Sequence, residues 1–265
     1  MRRIFVTFFS ILITAFLVQS AHAENSRKEF RLPPQAKPIS ENVYLLGQAM
    51  EDGQKVEGVA ILHPKKGNAK PGVGAAGKPP TACYGYIANG ARWRTTENYL
   101  VDPTNSRGMD VGGVQNAIAT GFSTWDDQVT FDIFGSEVSG TVDGVDTTAT
   151  DGKNEIMFGN IAEANAIGVT VVWYTIGSPK TRQIVEYDQM YDDVDYDWSL
   201  GDPADPTKMD FLNIVTHEDG HAAGMADLYD TVCSEETEYG YGTEGETKKR
   251  DLHTGDIEGI KKLYR

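Results

Sequence analysis

The chain has 265 residues, 39 Asp and Glu against 24 Lys and Arg, and a formal net charge of −15. That excess of negative charge argues against nucleic acid or an anionic membrane as the partner. The length leaves room for a small leading region and one larger domain of about 180 residues.

The first 23 residues read as a signal peptide. Arg2 and Arg3 begin it, Ile4 to Val18 is apolar, and Ala21-His22-Ala23 is an A-x-A cleavage site. The apolar run is short for a membrane span and is broken by Thr7, Ser10 and Thr14. Its removal takes the charge to −17 and leaves no other stretch able to cross a bilayer. The expected product is secreted, extracellular or periplasmic, and monomeric.

Residues 24–67 are charged and mixed, with a strand pair expected around Val43–Leu46 and Val56–Leu62. Residues 68–82 are rich in Gly, Pro and Ala and read as a linker. Residues 24–82 are therefore expected to be a pro-region with its linker, and 83–265 the catalytic domain. His63 falls in the leader and reads as a surface residue. Cys83 and Cys233 form an even pair, which in an exported chain implies one disulfide. The rival reading makes Cys83 a thiolate that caps a metal in a latent precursor.

Beyond the linker, Arg92–Val101 reads as a strand ending at Pro103. Val114, Ile118, Phe122 and Trp125 recur at three and four residues and predict a helix over Val111–Trp125. Val129–Phe134 alternates as a strand, and Gly135–Lys153 reads as a loop. Glu155–Phe158, Ile167–Thr175 and Gln183–Asp188 are further strands. Gln189–Asp210 is an acidic, aromatic loop. Its carboxylates around Asp188–Asp197 are dense enough for a Ca²⁺ site, although no EF-hand spacing is present. Phe211–Met225 and Asp256–Tyr264 are helices. This order predicts an α+β fold, with helices packed on a mostly continuous sheet.

The helix over Phe211–Met225 carries the run His217-Glu218-Asp219-Gly220-His221, continued by Gly224 and Asp227. Residues four apart on a helix share a face, so His217 and His221 can converge on one Zn²⁺. Glu218 is placed to take a proton from water activated there. Gly224 can turn the chain, so that Asp227 returns as a third ligand. Asp230 is the next alternative for that place, and His253 a distant one.

This run, H-E-x-x-H-x-x-G-x-x-D, resembles the signature of the metzincin clan of zinc endopeptidases. Asp227 stands where most members have His and snapalysin-type members have Asp. Leu252 to Tyr264 resembles the closing helix of the matrixin branch. The resemblance covers roughly residues 90–265. It implies a twisted, mostly parallel sheet with an antiparallel edge strand, an active-site helix and a C-terminal helix. In matrixins the segment similar to Val185-Glu186-Tyr187-Asp188 is the edge strand that takes up substrate, so Val185 and Tyr187 are expected to bind it. Tyr239 and Tyr241 are expected beside the metal, as pocket or as core. Two positions depart from the pattern: Glu238 stands where a methionine is expected below the metal, and Asp219 where the family has an apolar residue. The implied activity is zinc-dependent cleavage of polypeptides with Glu218 as general base. A catalytically silent zinc- or peptide-binding relative is the alternative that Asp219 and Glu238 motivate.

Overall fold

A computed structural model describes residues 27–67 and 82–265. The expected signal peptide and most of the expected linker lie outside the described residues. In chain order the elements are β1 (Glu29–Phe30), β2 (Lys37–Ser40), β3 (Val43–Glu51), β4 (Gln54–Pro64), β5 (Glu97–Asp102), α1 (Val111–Asp126), β6 (Phe134–Glu137), β7 (Glu155–Ile161), β8 (Ala166–Thr175), β9 (Ile184–Asp192), β10 (Trp198–Ser199), β11 (Met209–Asp210), α2 (Phe211–Ala223) and α3 (Thr254–Leu263).

One mixed sheet runs in the order β2-β3-β4-β8-β9-β7-β5-β6, with β1 added to β7. From β9 toward β6 the pairings are parallel, and from β9 toward β2 they are antiparallel. The α+β expectation is met at this level, while the sheet is more evenly mixed than expected. Period-two alternation divides β4 between two cores. Val59 and Ile61 face the layer that holds α1 and α2, and Val56, Ala60 and Leu62 face a smaller core on the other side.

Helix α2 is buried almost all round. The side chain of Asp210 caps its N-terminus by accepting from the N–H of Asn213, and Arg250 pairs with that carboxylate at 2.6 Å. Gly224 ends the helix at φ 102°, a conformation glycine adopts without a Cβ penalty. Indole N–H groups tie α2 to its neighbours: Trp125 donates to the carbonyl of Thr216 and Trp93 to that of Ala222.

Several element expectations need correction: the strand expected from Arg92 begins at Glu97, and the loop expected from Gln189 begins only after β9 ends at Asp192 and includes β10 and β11. Residues 129–133 are not a strand. The Asp126 carboxylate at the end of α1 takes the N–H of Ile133 at 2.9 Å, and the parallel pairing with β5 begins at Phe134. The segment Val185–Asp188 is not an edge strand either. It lies in β9, with β7 and β8 hydrogen-bonded on its two sides. Tyr187 is fully buried among Trp93, Phe122 and Phe134, so it is a core residue. Val185 packs against the smaller core. The strand beyond β9 is β8, and β4 from the leading segment covers it along Val56–Pro64.

Cys83 and Cys233 are joined, with S–S 2.07 Å, so neither sulfur is a free thiolate. The bond closes a loop spanning 150 residues of sequence, which restricts the unfolded chain strongly in the chain-entropy view. Cys83→Ser is therefore expected to lower the unfolding free energy by about 2–5 kcal/mol in urea titrations. A midpoint unchanged from the parent would contradict that. Among the described residues no helix is long and apolar enough to cross a membrane.

Candidate metal centre

On α2, His217 and His221 point their Nε2 atoms to the same place, and the chain beyond Gly224 brings Asp227 to them. Asp227 Oδ1 lies 3.3 Å from His217 Nε2 and 3.6 Å from His221 Nε2. All three atoms are buried and have no hydrogen-bond partner among the described residues. Convergent donors left unpaired in a buried site are costly unless something binds them. Two imidazoles and one carboxylate, within 4.8 Å of one another, form a donor set that could hold a metal ion. The other ring nitrogens are occupied: Nδ1 of His217 lies 2.6 Å from the Thr237 carbonyl and Nδ1 of His221 lies 3.1 Å from that of Met225. Such outer contacts orient the rings and present Nε2 as the free acceptor. The alternatives for the third position go elsewhere. Asp230 is exposed and accepts from the N–H of Val232, while His253 caps α3.

The electrostatics divide the set, since His217 is held neutral whereas the carboxylates beside His221 favour its protonated form, so that a metal bound there displaces a proton. Burial, reinforced by nearby Lys249, holds His217 down to about 3, so it is neutral. Burial would lower His221 as well, but the carboxylates of Glu238 and Asp227 outweigh it and raise its pKa. Asp227 is held below the usual carboxylate range, against burial, by the two histidines. Tyr229 donates a hydrogen bond to its other oxygen at 2.8 Å.

Glu218 is fully buried, and burial pushes its carboxyl up to about 7. Oε2 accepts from the Thr170 hydroxyl of β8 at 2.6 Å, and Oε1 lies 3.2 Å from Nδ1 of His63. His63 is not a surface residue. It is fully buried, two positions beyond Ile61 on the same face of β4, and its ring stands edge-on to that of His217 with centroids 3.9 Å apart. The leading segment meets the site at two more points. Asn42 donates to the Tyr229 hydroxyl, and Tyr241 donates to Glu41. Tyr239 and Tyr241 pack edge-on in one aromatic group beside Asp227 that includes Tyr229. Lys249, also fully buried, reaches the Tyr239 carbonyl and lies 3.3 Å from His63 Nε2. Neither Lys249 nor Thr170 carries a motif. The period-two continuation of Val59 and Ile61 was the signal available for His63.

The two positions that depart from the metzincin-like pattern, Glu238 and Asp219, are both buried, and both oxygens of Glu238 and one of Asp219 have no hydrogen-bond partner among the described residues. Glu238 is fully buried, and its Oε2 lies 3.1 Å from Nδ1 of His221. Asp219 faces Gly121 of α1 and accepts from the Gln189 amide at 3.2 Å, with its second oxygen unpartnered among the described residues. Burial raises the Asp219 pKa well above its ordinary value, so the folded protein keeps its proton where the unfolded chain has lost it. A raised carboxyl supports folding fully below the unfolded pKa of about 4 and loses that support as pH rises toward the folded value. Asp219→Asn is thus expected to raise the melting temperature at pH 8 and leave it almost unchanged at pH 3.5. An equal shift at both pH values would contradict this.

The acidic stretch Asp188–Asp197 does not gather around one point. Asp192 accepts backbone N–H groups of Ile161, Val194 and Asp195, Asp193 accepts that of Ser106, and Asp197 pairs with Arg107. The Ca²⁺ expectation at that stretch is not met, and the acidic groups spaced for a cation lie on the loop before β7. Comparison with protein-family models and with curated proteins finds no match to this chain.

Proposed function

We propose that this protein is an exported zinc-dependent endopeptidase and that the described chain is its latent form. The observation that carries the reading is the convergence of three buried, unpartnered donor atoms, from His217, His221 and Asp227, beside the buried carboxyl of Glu218. The metzincin-like run and closing helix support it from the sequence side. Zinc, when bound, supplies Lewis acidity toward water and toward the scissile carbonyl. Glu218, brought near neutrality by burial, takes a proton from the attacking water and passes it to the leaving amine.

The substrate is an extended polypeptide, laid antiparallel on β8 as an added strand. In the chain as described β4 occupies that edge. His63 and Thr170 together engage both oxygens of Glu218. Strand and histidine thus block the groove and the base at once. Removal of the leader opens both.

The test is casein hydrolysis by protein freed of its leader. Hydrolysis should stop on chelation and return with added zinc. Zinc binding without any hydrolysis would favour the silent relative, for which the buried carboxyl groups of Glu238 and Asp219 are the specific argument.

A further inference from the structure

The loop between β6 and β7 folds back over the start of β9 and hangs from buried carboxylates. Glu155 accepts backbone N–H groups from Asp143 and Gly144, each at 3.0 Å. Asp188 accepts that of Asp146 at 2.8 Å. Glu186 Oε2 accepts those of Asp151 at 2.8 Å and Gly152 at 2.6 Å. Two acidic triads result, Asp143 with Asp151 and Glu155, and Asp146 with Asp151 and Glu186.

The triads differ in their neutralisation. Lys153 sits on the outer one, its ammonium 2.9 Å from Asp143 and 3.6 Å from Glu155, and it touches the inner one only through the shared Asp151, which it contacts with both its ammonium and its backbone N–H. Among the described residues no cationic side chain pairs with Asp146 or Glu186. Glu186 is 0% exposed, and its Oε1, within 4.8 Å of the other carboxylates, has no hydrogen-bond partner among the described residues. A buried carboxylate oxygen facing two further acids is costly without a counter-charge.

We propose that Asp146, Asp151 and Glu186 bind a hard divalent cation, Ca²⁺, which clamps the loop 143–152 onto β9. The donor set is oxygen only, which selects against zinc. Asp146 is half-buried and Asp151 exposed, so waters can complete the six to eight ligands that Ca²⁺ accepts in loose geometry. The bond would act where the loop already meets the leading segment, through Thr150 and Glu51. Burial, with Asp146 and Asp151 adding to it, lifts Glu186 to about 8, so the cation displaces a proton at neutral pH.

The test titrates CaCl₂ into the full chain by calorimetry at pH 7.5 in two buffers of different ionisation enthalpy, with thermal unfolding in parallel. We expect a dissociation constant of about 10⁻⁴–10⁻³ M, proton release, and a melting temperature raised by roughly 5 °C near saturation. Glu186→Gln and Asp146→Asn should each lose all three, while Asp197→Asn keeps them. Asp146→Asn alters the half-buried loop position and covers the case in which Glu186→Gln does not fold. Absent Ca²⁺ heat together with a Glu186→Gln variant more stable than the parent would overturn the proposal, because Glu186 would then be a permanently neutral acid. Ca²⁺ binding unchanged in both variants would overturn it as well, by locating the cation elsewhere.

Discussion

Protein cut in the linker and separated from residues 1–67 should hydrolyse casein at least ~10²-fold faster than the intact chain. A docked strand worth about 3 kcal/mol leaves fewer than about 1% of active sites open. The docking of β4 can supply that. It pairs with β8 from Val56 to Pro64, and Val59 and Ile61 insert into the same core as α2. A nick alone is not expected to activate, because β4 stays held by the ladder and β1 stays on β7. Mild urea or competing substrate would be needed to release the segment. His63→Ala in the intact chain separates strand from side chain: Glu218 loses one partner, the groove stays filled, and activity should rise less than tenfold. Equal activity of intact and leader-free protein would refute the latent state and leave β4 as a permanent part of the sheet.

Glu218→Gln, made in the leader-free protein, should lower casein hydrolysis by about 10²–10⁴-fold with zinc retained. The substitution preserves shape and the contact with Thr170 while removing the proton acceptor. Because His217, His221 and Asp227 are untouched, metal content should equal that of the parent. Loss of zinc with activity would make Glu218 a structural support of the site. Undiminished hydrolysis would exclude it as the base.

The metal helix was legible because its chemistry is local. His217, Glu218 and His221 fall within two turns, and Gly224 announces the turn that returns Asp227. Helix α1 was legible from its spacing of three and four, and the strands β3 and β4 were expected as a pair. What escaped depends on pairing between distant segments. A strand buried on both faces reads alike at an edge and in the centre, so nothing in Ile184–Asp192 announces that β7 and β8 flank it. The role of β4 escaped for the same reason, since its partner β8 lies more than a hundred residues on. His63 followed from that omission, because a histidine in an unplaced leader has no reason to be buried. Asp219 and Glu238 were legible as anomalies. Their partners, Gln189 and His221, come from tertiary packing.

The most direct measurement is the zinc content of purified protein after exhaustive dialysis, beside His217→Ala and His221→Ala variants. The account predicts about one tightly held zinc per chain in the parent and essentially none in either variant. A parent that stays zinc-free after loading with excess zinc, or variants that retain it, would contradict the metal centre and the peptidase built on it.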